Sequence, residues 1–124
     1  MRTIKFRGKR LMSEDWEYGN LIQRPDGGNF IETGDMRLCP IQDFSIGQFA
    51  GLHDKNGKEI YEGDIVKYLS YAREEVGYIG FHARSASFRV IAKHTDFGIG
   101  NRGGLHELQL EVIGNIHDNL ELLK

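Results

Sequence analysis

Apolar and polar residues alternate along most of this chain with a period of two, the spacing of a strand that wets one face. Ile4 and Phe6 alternate with Thr3, Lys5 and Arg7, which predicts a first strand ended by Gly8. Trp16, Tyr18 and Leu21-Ile22 predict a partner strand closed by the turn Pro25-Asp26-Gly27-Gly28, and Asn29 to Thr33 predicts a short third strand. Residues 34–44 carry no clear period and read as a connection. From Ile46 onward the pattern is a meander, with strands expected over 47–52, 59–61, 65–71, 75–81, 88–94 and 108–116. Short strands at near-regular spacing characterise small antiparallel barrels and sandwiches. Only Asp118 to Leu123 has helical character, with Asp118 or Asn119 available to cap orphan amides. The pattern holds no long amphipathic helix, which argues against parallel βαβ architectures.

The expected fold is therefore mostly β. An amino-terminal β subdomain or arm over residues 1–44 precedes a small SH3-like or related antiparallel β-barrel over 45–124, which ends in a short carboxy-terminal helix. The SH3-like reading rests on analogy, since many such barrels use a segment like Gly63-Asp64-Ile65-Val66 as a bulged turn and return strand. Two turn signals punctuate the centre of the chain. Asn56-Gly57 supplies the pair of positive-φ positions that a two-residue type I′ hairpin requires, and Glu62-Gly63-Asp64 is a second turn that feeds the apolar run Ile65-Val66.

Composition changes this picture little. The 124 residues suit one domain, or one plus an arm. Glycine, at 16 residues, is about twice its average share, yet it is dispersed and proline is scarce, which points to many tight turns and not to low complexity. Charge is uneven: Arg2, Lys5, Arg7, Lys9 and Arg10 fall in the first ten residues, while the remainder is acidic. The single Cys39 excludes an intramolecular disulfide and, flanked by Leu38 and Ile41 with no base in sight, reads as a small apolar filler. Neither a signal-peptide core nor a long apolar run is present, so the chain is expected to be cytoplasmic with no membrane partner.

Several motifs tempt a chemical reading. Gly98-Ile99-Gly100-Asn101-Arg102-Gly103 spells GxGxxG, but a dinucleotide site needs a helix to start within the glycines, and Leu105 to Ile116 reads as strand. Asp54-Lys55-Asn56-Gly57 resembles the centre of a calcium loop, yet that alignment puts Leu52 and Gly63 at ligand positions that require oxygen. Asp54 is expected instead to accept the amides of its own turn. The five histidines, His53, His82, His94, His106 and His117, form no close pair, and the serines lie in no nucleophile elbow. No catalytic, cofactor-binding or metal-binding residue is assigned.

The stretch GLHDKNGKEIYEGDIVKY, the opening TIKFRGKR and the closing EVIGNIHDNLELL together resemble the YopX family of small proteins encoded by bacterial phages and prophages. The chain departs from the usual family pattern at His53 and Leu120. The resemblance marks Gly51, Asp54, Asn56, Gly57, Tyr61, Gly63 and Asp64 as a structural motif and implies no particular reaction. The expectation is a non-enzymatic accessory protein of a phage or prophage that binds a protein or a nucleic acid in the cytoplasm of the host bacterium. Its contacts are placed on the amino-terminal cations or the glycine-rich loop at 98–104. In the first alternative, Arg2, Lys5, Arg7, Lys9 and Arg10 line a strand that neutralises phosphates while a base stacks on Phe6. The same cations also serve to protect a strand edge, or to dock on the acidic body of a second copy and form a homo-oligomer. The second alternative is a small enzyme with an assembled His/Asp site.

Overall fold

The computed structural model describes residues 2–100 and 104–124. The chain divides into two compact units, Met1–Gly51 and Leu52–Lys124. Among the described residues every strand pairing is antiparallel, and helical geometry is confined to 3-10 turns.

The first unit holds β1 (Phe6–Lys9), β2 (Trp16–Gln23), β3 (Asn29–Glu32), β4 (Leu38–Pro40) and the start of β5 (Gly47–His53), in the sheet order β4-β3-β2-β1-β5. Its register sets Phe6 opposite Gly19, Leu21 opposite Ile31, and Ile31 opposite Cys39. One sheet face is consequently apolar: Ile31, Cys39 and Ile41 are buried, and Phe6, Leu21 and Ile46 pack against them. Gly8 does not end the first strand. β1 continues through it because a Cβ there would lie 2.2 Å from Ile41 Cγ2, so the missing side chain lets the two segments close up. Beyond it Arg10 bridges to Ile41. The region expected to be a plain connection contributes β4 and a 3-10 turn at Asp43–Ser45. The buried Ser45 hydroxyl accepts from the Lys9 amide at 2.8 Å and donates to the Gln42 carbonyl at 2.6 Å.

In the second unit, β6 (Glu59–Tyr61) follows the Asp54 turn. A four-strand meander comes next: β7 (Asp64–Ser70), β8 (Arg73–His82), β9 (Ser87–Ala92) and β10 (Asp96–Gly98). After a 3-10 turn at Glu107–Gln109, β11 (Glu111–Asn115) returns to pair with β7, giving the order β10-β9-β8-β7-β11. A bulge between Val112 and Gly114 adjusts that last pairing. Ile60, Ile65, Val66, Ile79, Val90 and Leu110 are fully or almost fully buried and form the core of this unit.

Two expectations require correction. Among the described residues the strands form open sheets and no closed barrel, because no pairing joins β10 to β11, the two ends of the second unit's sheet. The carboxy-terminal helix is a single 3-10 turn, Leu120–Leu123. Its expected caps are already engaged: Asn119 Oδ1 accepts from the Asn115 amide at 3.1 Å, and Asp118 Oδ2 accepts from Asn115 Nδ2 at 3.1 Å. With no side chain left for the first-turn amides, nothing offsets the cost of nucleating a longer helix.

Candidate functional site

The central motif builds two turns around buried carboxylates. Asp54 is 1% exposed. Its Oδ1 accepts from the amides of Asn56 and Lys58, both at 2.9 Å, while Oδ2 accepts from the Val112 amide at 2.9 Å. One side chain thus closes its own turn and ties that turn to β11. The Lys55 amide adds a second tie, donating to the Leu110 carbonyl at 3.0 Å. Burial pushes the Asp54 carboxyl up, but the amides of Val112, Lys58 and Asn56, with the nearby Lys58 charge, outweigh it and hold the group below the ordinary carboxylate range.

This turn differs from the two-residue type I′ loop expected at Asn56-Gly57. Gly57 has φ 81, but Asn56 is not among the positive-φ residues, and the Gly57 amide donates to the Asp54 carbonyl at 3.0 Å. That arrangement is a type I turn centred on Lys55-Asn56, with Gly57 as the left-handed residue of the return. The Asp54 side chain, by fixing the amides of Asn56 and Lys58, selects the longer loop.

Asp64, also 1% exposed, accepts from the Tyr61 amide at 2.7 Å, and so latches the second turn. The Gly63 amide reaches the Ile79 carbonyl at 2.7 Å, and its carbonyl accepts from Ile116 at 2.9 Å. Tyr61 is buried and donates its hydroxyl to Glu59 at 3.0 Å. Gly51 lies exposed in β5 with φ 84. The motif's acidic groups are therefore occupied by backbone amides, and they bind chain to chain.

The amino-terminal cations do not share one environment. Arg2 is exposed. The Lys5 ammonium lies 5.4 Å from the centre of the Phe49 ring, and the Arg7 guanidinium lies 4.6 Å from that of Trp16, with Lys9 5.7 Å from the same ring. Arg7 and Lys9 are only 5% and 4% exposed. Lys9 also pairs with Glu14, and Arg10 with Glu17 at 2.8 Å, a bond that raises the guanidinium pKa still further. Phe6, assigned to base stacking from sequence, packs into the apolar core instead. The rings that meet these cations are Trp16 and Phe49.

None of the five histidines is buried, and no cluster of metal-ligating side chains occurs among the described residues. His82 Nδ1 lies 2.9 Å from Ser85 Oγ, but the same nitrogen accepts the Ser85 amide at 3.2 Å, which makes it the cap of an exposed hairpin turn. Of GxGxxG, residues 101–103 lie outside the described residues. Nearby, the Gly100 amide donates to the Leu105 carbonyl at 2.7 Å, and Ile99 bridges to Leu105.

Sequence reasoning missed an aromatic cleft in the second unit. Two hollows, of about 350 and about 390 Å³, meet along Tyr68 and Leu69. The first adds Lys55, Lys67 and Gln109, and the second adds Tyr71, Phe97 and Leu105. Tyr68 and Phe97 pack edge to face, with ring centres 5.1 Å apart. Tyr71 is fully exposed, at φ 51, and Ala72 follows at φ 66, so a type I′ hairpin joins β7 and β8. An exposed Tyr beside Leu69 carried a faint signal, but strand alternation alone assigns it to solvent.

The family model described as "YopX protein" matches residues 5–124. The chain belongs to the YopX family. It is also similar in structure to protein EF1440 from Enterococcus faecalis, with 26% sequence identity, a TM-score of 0.59 and complete coverage of both chains. No curated protein matches it. The Asp54 and Asp64 turns thus lie within a segment that the YopX model spans, as do both aromatic walls of the cleft.

Proposed function

We propose that this YopX-family chain is a non-enzymatic accessory protein of a phage or prophage, acting in the host cytoplasm by binding another protein. The carrying observation is that both motif carboxylates, Asp54 and Asp64, are buried and committed to backbone amides. A general base or a metal ligand must offer a lone pair to substrate or ion, whereas both Asp54 oxygens and Asp64 Oδ2 already accept backbone amides. No helix among the described residues is long and apolar enough to cross a membrane.

The second unit is read as SH3-like. What supports this is its strand order: a meander whose last strand, preceded by a 3-10 turn, returns beside the first. A protein partner is favoured over nucleic acid because Arg7 and Lys9, two of the five cations available for phosphate, are buried on Trp16. Phosphate neutralisation needs cations at the surface.

The test is capture by the immobilised full chain from lysate of its bacterial host, with bound proteins quantified by mass spectrometry. One protein, or a few, retained in stoichiometric amounts and resistant to moderate salt is the expected result. Recovery of nothing beyond the blank matrix, or of nucleic acid alone, would sink the reading.

A further inference from the structure

The first unit carries an exposed apolar hollow of about 450 Å³ along β4, the outermost strand of its sheet. Leu11, Met12 and Leu38 line it, and all three are exposed, Met12 by 93%. Arg10 and Arg37 are the only charged residues in its wall. Each guanidinium commits Nε to a neighbouring carboxylate, Arg10 to Glu17 at 2.8 Å and Arg37 to Asp35 at 2.9 Å. These side-on bonds orient both groups and leave Arg10 Nη1 and the Arg37 Nη pair, which meet no partner among the described residues, for a carboxylate from outside. An exposed apolar patch rimmed by arginine has the composition of a protein interface, where Met and Arg are enriched.

The second unit carries a surface of matching character, the 3-10 turn Leu120–Leu123. Leu123 is half-buried and lines a hollow with Tyr78 and Ile91, whereas Leu120 and Leu122 are exposed. Glu121 stands between them in the chain, exposed, and its carboxylate meets no partner among the described residues. The approach to this turn is acidic throughout: residues 104–123 include Glu107, Glu111, Asp118 and Glu121 and neither Lys nor Arg. The cation that follows, Lys124, lines the Tyr78 hollow.

We propose that the Leu120–Leu123 turn of one copy docks in the Arg10–Arg37 hollow of a second copy, so that the chain self-associates head to tail. Charge decides the occupant: the wall of the hollow has two cations and no carboxylate, and the turn brings a carboxylate between two exposed leucines. The leucines cover Leu11, Met12 and Leu38, while Glu121 meets the guanidinium nitrogens that Glu17 and Asp35 leave open. Burial of the apolar groups supplies affinity, and the charge pairs at the rim set register. Because the two surfaces differ, the contact is heterologous, and each added copy offers a fresh hollow or turn to the next until a ring closes. This contact is separate from the binding of another protein, and neither requires the other.

The test is sedimentation velocity of the full chain across a concentration series. A mass that rises with concentration is expected, and a monomer at every concentration up to about 1 mM would overturn the proposal. Arg37→Glu and Glu121→Arg each change an exposed side chain and set like charges face to face, which should weaken association about tenfold or more. Reversing both charges in one chain should restore it. An equimolar mixture of the two single variants should also restore it, since every hollow then finds a turn of opposite charge. Single reversals without effect, or a doubly reversed chain and a mixture that associate no better than either variant alone, would overturn the docking arrangement.

Discussion

Two hairpin turns of the second unit solve the same problem in opposite ways. The turn at Asp54–Lys58 places a glycine at its left-handed position and fastens the remaining amides with a buried carboxylate. The turn at Tyr71-Ala72 does neither: its two left-handed residues both carry side chains, and the larger one projects wholly into solvent. The first turn is built for stability. The second accepts left-handed strain at two residues that carry side chains.

The largest difference should appear on cutting the carboxylate. Asp54→Ala strands the amides of Asn56, Lys58 and Val112, and is expected to cost about 3–4 kcal/mol, measured by urea unfolding. A loss below about 1 kcal/mol would mean that these bonds are not what holds the turn to β11. The same group gives a pH signature. Its folded-state pKa is depressed, so its stabilisation is present above the unfolded carboxylate value and disappears as pH falls through the lower folded value. The acid limb of the stability curve should therefore flatten in Asp54→Asn, and an unchanged limb would assign the acid sensitivity to other carboxylates.

Next in size is Gly57→Val. A Cβ at Gly57 meets nothing within 4 Å, so the penalty is backbone strain at φ 81 alone, about 2 kcal/mol. An unshifted melting temperature would show that the left-handed residue is not required there. The smallest effect has the opposite sign. Ala72→Gly relieves the left-handed strain at φ 66 against the extra freedom of the unfolded chain, for a net gain of about 0.5–1 kcal/mol in thermal unfolding. Destabilisation instead would place the turn's rigidity, and not its strain, at the centre of the comparison.

Particular residues show how far the chain could be read unaided. The period of two marked β1, β2, β3, β7, β8 and β9 to within a few residues, because a half-wet strand writes its faces into the sequence. The same logic missed β4 and β10. Each is three residues long, too short to carry a period, and β4 includes Pro40. It also read residues 108–110 as strand, where His106 and Gln109 cap a 3-10 turn. Asp54 was legible as the acceptor of its own turn, but its third bond, to Val112, spans 58 residues of sequence and has no local signature.

Local chemistry thus determined by itself that this protein is β-rich, where most of its strands run, and which carboxylate organises the central turn, since alternation and short-range hydrogen bonding act over a few residues. Only tertiary structure decided which cations are buried on Trp16, that the sheets stay open, and that Tyr68, Tyr71 and Phe97 converge on one cleft. These depend on pairings between segments far apart in the chain, whose contacts are set by the register of whole sheets and by no residue's immediate neighbours.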